Sequence, residues 1–133
     1  MLNWKGDSVA GNVQRAARMG IDETLGACVK RAKDDAPVRT TAYHGSIQMR
    51  PAVMEKGSIT GYWGSFRILY AIFIELGTKA HIIRPKNKKA LFWKGASHPV
   101  KEVKHPGTKP NPVLTRAAEE EYPKLAGRIR KYL

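Results

Sequence analysis

The feature that most constrains this chain is an apolar stripe running almost unbroken from Val9 to Ala36. Val9, Val13, Ala16, Ala17, Ile21, Leu25, Cys28, Val29, Ala32 and Ala36 recur at steps of three and four residues, which lines one face of a 3.6-residue period. Asp7 and Ser8 are suitable amino-terminal caps, and Pro37 forces Ala36 out of the helical region. The pattern predicts a helix of nearly thirty residues, about 43 Å long at 1.5 Å per residue, with a bend or break near Gly20 as its weak point. A chain of 133 residues makes one domain, residues 1–133. A helix of that length exceeds the width of such a domain, so part of it is expected to pack on something else.

After Pro37 the period changes. Ile47 and Met49 alternate with polar neighbours until Pro51 interrupts. Ala52–Glu55 and Ser58–Trp63, joined by Lys56-Gly57, read as a β-hairpin. Over Ser65–Gly77 a strand would put Tyr70, Ile72, Ile74 and Leu76 on one face, but the end signals favour a helix: Ser65 as cap, Gly77 just beyond the end, and Leu69, Phe73 and Leu76 on one stripe. His81–Arg84, Ala90–Trp93 and Val100–Lys104 read as short strands separated by long loops, which predicts an antiparallel sheet. Asn111 and Pro112 then open a final helix as cap and first residue. Its stripe is Leu114, Ala117, Ala118, Leu125 and Ile129, with a kink at Pro123 and Glu119–Glu121 on its solvated face. The fold class expected is α+β: a long amino-terminal helix, a small antiparallel sheet with a short inserted helix, and a carboxy-terminal helix.

Charge narrows the function classes. The net charge is +13, and residues 79–110 hold nine basic side chains against Glu102 alone, supplying +8 of it. Such a block suits a nucleic acid, an acidic protein face or plain solvation. The longest apolar run, Ile68–Ile74, is far short of the roughly 18 residues of a membrane span, so no membrane partner is expected. Residues 1–7 contain no basic stretch followed by an apolar core, which predicts no signal peptide. The single cysteine, Cys28, excludes an internal disulfide and reads as a small core residue.

No spacing supports catalysis. His44, His81, His98 and His105 form no His-x3-His pair, so neither a metal nor a cofactor is expected. Gly57–Gly64 lacks the Lys-Ser/Thr ending of a phosphate loop, and no Gly-x-Ser-x-Gly elbow occurs. A small basic metal-independent ribonuclease, with His as general base and Lys or Arg on phosphate, stays open as an alternative. So does a nucleic-acid-binding module on residues 84–94, although core packing is the simpler role for Phe92 and Trp93. Glu75 stands alone between Glu55 and Glu102 after an intensely apolar run; it must reach water, pair with a cation such as Arg67, or meet another subunit.

The segment Tyr70-Ala-Ile-Phe-Ile-Glu-Leu-Gly-Thr78 resembles the Tyr-Ala-x-x-Val-Glu-Phe-Gly-Thr core of the phage tail-component family typified by the gene-ten-like protein of phage HK-97. Further similarities follow in order: Trp4-Lys-Gly-Asp7, Ala32-Lys-Asp-Asp-Ala-Pro37, Ala90-Leu-Phe, and Val103-Lys-His-Pro-Gly-Thr-Lys-Pro-Asn-Pro112. In Pro37–Ile47, Thr41 and Tyr43 replace the family's Gly and Leu, and Val113 stands where Phe is common. The resemblance implies a non-enzymatic virion protein of the head-to-tail connection, a neck or tail-completion subunit without cofactor, assembled in the host cytoplasm. Its partners would be further copies of itself in a ring of about six or twelve subunits, an adjacent head-closure or adaptor protein, and a tail-terminator or tail-tube protein. Genome DNA would pass the ring without sequence-specific binding. The interface residues expected are Val9, Val13, Tyr70, Glu75, Gly77, Thr78, Arg84, Lys86, Lys88 and Lys89.

Overall fold

A single helix, α1 (Gly6–Asp35), carries the stripe as one continuous rod of 30 residues. The computed structural model describes residues 6–37 and 41–133. Trp4 and Lys5 of the amino-terminal motif, and residues 38–40 of the loop motif, lie outside the described residues. Asp7 sits in the first turn and Lys33 in the last, signs that suit the helix dipole. Asp7 and Ser8 lie within the helix as described. Gly20 does not break it. A Cβ at Gly20 would lie 2.7 Å from the backbone nitrogen of Ile129 and 2.8 Å from its Cα, so this glycine serves a close helix–helix approach.

The elements that follow are α2 (Thr41–Ser46), β1 (Ile47–Glu55), β2 (Ser58–Ser65), α3 (Ala71–Leu76), β3 (His81–Ile83), β4 (Val103–His105), α4 (Val113–Glu121), a 3-10 turn (Tyr122–Lys124) and α5 (Leu125–Lys131). The class is α+β, with the long first helix, antiparallel strands, a short helix between them and helices at the end. The strands form two separate two-stranded ribbons, β1–β2 and β3–β4. By its contacts the chain divides into two compact units, Met1–Ala71 with Pro112–Leu133, and Ile72–Asn111.

In the first unit, Lys56 and Gly57 turn the hairpin with φ of 48° and 81°, the paired positive values a tight I′ turn requires. Pro51 does not end β1. The register steps from Arg50↔Tyr62 to Val53↔Thr60, placing one extra β1 residue in a bulge. Ala52 N–H, released from the ladder there, donates to Asp22 Oδ1 of α1 at 2.7 Å. The core consists of Ala16, Leu25, Cys28 and Ala32 of α1 with Tyr43, Ile47, Ala52, Val113 and Ala117, all buried. Small residues dominate because the helices approach closely.

The final helix breaks where Pro123 stands, passing through the 3-10 turn into α5. Two details differ from the sequence reading. Pro112 occupies the cap position with Val113 first in the helix, while Asn111 lies one residue earlier and its N–H donates to Ile74 O at 2.8 Å. The buried residues of α4 are Val113, Ala117 and Glu121, a stripe displaced from the expected Leu114 and Ala118.

The second unit is held differently. The helix expected over Ser65–Gly77 is only α3; Ser65 ends β2, and Arg67 has φ of 65°, which no helix continues. Its end signal is right. Gly77 has φ of 70°, and its N–H donates to Phe73 O at 2.9 Å. Thr78 and Thr108 then exchange both backbone hydrogen bonds at 3.0 Å, and β3 pairs with β4 in the register His81↔His105, Ile82↔Lys104, Ile83↔Val103. Ala90–Trp93 is not a strand. Leu91 and Val100 exchange one pair of bonds as an isolated bridge.

Candidate functional site

Two surfaces and one internal network could carry function. The first surface is the amino-terminal part of α1. No residue before Ala16 is buried there, and Val9 and Val13 are 59% and 48% exposed. About three turns of helix with apolar members therefore stand clear of the core that holds the rest of α1.

The second surface is the unit Ile72–Asn111, in which no residue is buried. Phe92 is 66% exposed and Trp93 50%, which overturns their assignment to a core. With Ile83, Leu91 and Val103 they line an open apolar hollow of about 330 Å³. Lys86 and Lys88 border its neighbour, alongside Leu91 and Phe92. Strand alternation places Ile83 with Val103 on one face of the ribbon and Ile82 with Lys104 on the other. Just past the pair, Arg84 Nε reaches Glu102 Oε2 at 3.3 Å. His81 and His105 stand opposite each other with ring centroids 5.0 Å apart. His81 Nδ1 lies 2.8 Å from Lys79 O, and His105 Nδ1 accepts from Gly107 N–H at 3.0 Å, so backbone groups occupy both Nδ1 atoms.

The network joins α1 to the last helices. Glu121, expected on a solvated face, is only 7% exposed, because α4 turns it toward Arg128 of α5. Arg128 also donates to Glu121 O at 3.2 Å and to Thr24 Oγ1 at 3.3 Å, while Lys124 Nζ lies 3.0 Å from Glu121 Oε1. The Arg128 hydrogen bond, with that of Lys124, holds the Glu121 carboxyl below its ordinary pKa. Glu23 is lowered first by the Tyr132 hydroxyl, which donates to it at 2.7 Å, and then by Lys131, whose own pKa rises through Glu23. Cys28 lies beside this network. Burial, reinforced by the Glu121 charge, raises its thiol to about 11, so it is held protonated and is no nucleophile near neutral pH.

The interface residues expected from the sequence fall on these features. Val9 and Val13 lie on the free part of α1. Tyr70 is exposed just before α3, and Glu75 is half-buried on it. Gly77 and Thr78 start the second unit's ribbon. Arg84 is paired, whereas Lys86, Lys88 and Lys89 are exposed. Sequence reasoning missed Glu121 with Arg128, and Glu102 as the partner of Arg84. The seven-residue spacing of Glu121 and Arg128 would mark one helix face, but Pro123 between them hid it. Among the described residues, no group of three or more His, Cys, Asp or Glu is placed to hold a metal ion, and no helix is long and apolar enough to cross a membrane. No protein-family model, curated protein or solved structure matches this chain.

Proposed function

We propose that this chain is a non-enzymatic structural subunit of the phage head-to-tail connection, a neck or tail-completion protein that assembles as a ring between portal and tail. The observation that carries the reading is the free part of α1. Its exposed Val9 and Val13 continue the stripe whose Ala16, Leu25, Cys28 and Ala32 are buried, as a helix waiting for a neighbour would. A head-to-tail contact between copies covers such an end and closes into a ring. The similarity of Tyr70–Thr78 and Val103–Pro112 to the tail-component family supports the same reading.

The test is Val13→Asp. The isolated variant should melt with the parent, because Val13 is not among the buried residues, but should fail to enter virions or form rings under electron microscopy. Unfolding of the free Val13→Asp chain, with Leu25→Asp tolerated, would refute the reading. The ribonuclease alternative predicts RNA cleavage lost in His81→Ala and His105→Ala; the ring reading predicts no cleavage to lose.

A further inference from the structure

We propose that Ile72–Asn111 is a docking module for an acidic protein segment, which seats an apolar side chain in the hollow of Ile83, Leu91, Phe92, Trp93 and Val103 and sets its carboxylates on Lys86 and Lys88, which border the adjoining hollow. The inference rests on the chain being an interaction subunit and adds the chemistry of a partner.

Charge complementarity identifies the occupant. None of the eight lysines in this unit lies within ion-pair distance of a carboxylate among the described residues; Glu102 is taken by Arg84. An apolar hollow with unpaired lysines in the same unit, Lys86 and Lys88 at its adjoining hollow, matches a partner of opposite sign with an apolar anchor. A second copy of this chain is a poor match, because most of its carboxylates are engaged. Asp34 is held by Lys30, Asp35 by Arg31 and Arg116, Glu120 by Arg31, Glu121 by Arg128 and Lys124, and Glu23 by Lys131 and Arg128. Two copies would bring like charges together.

A nucleic acid is the other polyanion. Its phosphates suit the lysines, and its bases could stack on Phe92 or Trp93. The hollow, however, is also walled by Ile83, Leu91 and Val103, whose aliphatic surface gains most from an apolar side chain and little from polar base edges. A protein segment covers both kinds of surface. It also buries an aromatic anchor of the type that dominates interface energetics.

The experiment uses the purified full chain and fluorescence anisotropy with three labelled probes. These are a short Asp/Glu-rich peptide with a Leu-Phe centre, the same peptide with a Ser-Ser centre, and an oligo-dT strand. The Leu-Phe peptide should bind saturably and about tenfold or more tighter than the Ser-Ser peptide. The Phe92→Ser/Trp93→Ser variant should lose that preference. Lys86→Ser/Lys88→Ser/Lys89→Ser, all at exposed positions, should weaken both peptides whether or not the aromatic variant folds. Equal binding of the two peptides, no saturable binding, or unchanged affinity in the lysine variant would overturn the proposal. Tighter binding of oligo-dT, lost with Trp93→Ser, would overturn it in favour of nucleic acid. Val13→Asp should bind the Leu-Phe peptide within about twofold of the parent, since Val13 is no part of the hollow or of its lysines. A chain that binds the peptide but never forms rings would therefore sink the ring reading alone.

Discussion

The two units of this chain solve the same problem by opposite means. Met1–Ala71 with Pro112–Leu133 excludes water, packing alanines of α1 and α4 against Tyr43, Ile47 and Val113 and placing Gly20 where Ile129 must approach. Ile72–Asn111 buries none of its residues and is held by backbone pairing: Thr78 with Thr108, β3 with β4, and Leu91 with Val100. The first unit derives stability from burial. The second relies on hydrogen bonds whose net worth is small, so its apolar side chains are free for use elsewhere. Ordinary core residues and exposed docking residues can therefore be alike in composition yet differ wholly in role.

The widest contrast should come from Gly20→Leu. Its side chain would collide with the Ile129 backbone, and we expect a loss of about 3 kcal/mol or more, read from chemical denaturation. A midpoint like the parent's would show that α5 can move away. Arg128→Ala comes next, at about 2–3 kcal/mol, because it leaves a buried carboxylate with only the more exposed Lys124 as its cation. This variant also has a pH signature. The folded-state pKa of Glu121 lies below its ordinary 4.5, so the pair's contribution is present above that pH and is lost as pH falls toward the depressed value. Arg128→Ala should therefore flatten the acid limb of stability; an unchanged limb would assign that limb to other carboxylates.

Gly77→Val probes the second unit. It combines positive φ with a Cβ placed 2.5 Å from Thr108 O, and should cost about 1–2 kcal/mol. The effect should appear as faster amide exchange at Thr78 and Thr108 while the first unit keeps its protection. Uniform loss across both units would erase the distinction drawn between them. The smallest effect belongs to Phe92→Ser, expected to alter stability by no more than about 0.5 kcal/mol because its ring already faces water. A large loss there would mean that the second unit has a core after all.

Much of the local structure was legible. The stripe of α1, the Lys56-Gly57 turn, Gly77 at a helix end and the break at Pro123 each follow from one residue's backbone preference or from a period that repeats. The candidate surfaces were legible in part: Val9 and Val13 belonged to a stripe too long for one domain, and the lysines of 79–110 were visible as a charge block. The exposure of Phe92 and Trp93 was not, since an aromatic pair reads alike whether a sheet lies beneath it or not. The hairpin bulge was hidden too, because its released Ala52 N–H is satisfied by Asp22, thirty residues away.

By itself, the sequence determined where helices stop, where the chain turns, and that its positive charge concentrates in one stretch, because backbone torsions and formal charges are properties of neighbouring residues. Only the tertiary structure decided that Gly20 is a contact and not a hinge, that Glu121 is buried against Arg128, and that the apolar residues of the second unit stay open. Those outcomes depend on which distant atoms come within a few ångströms, and burial is a property of the packed whole.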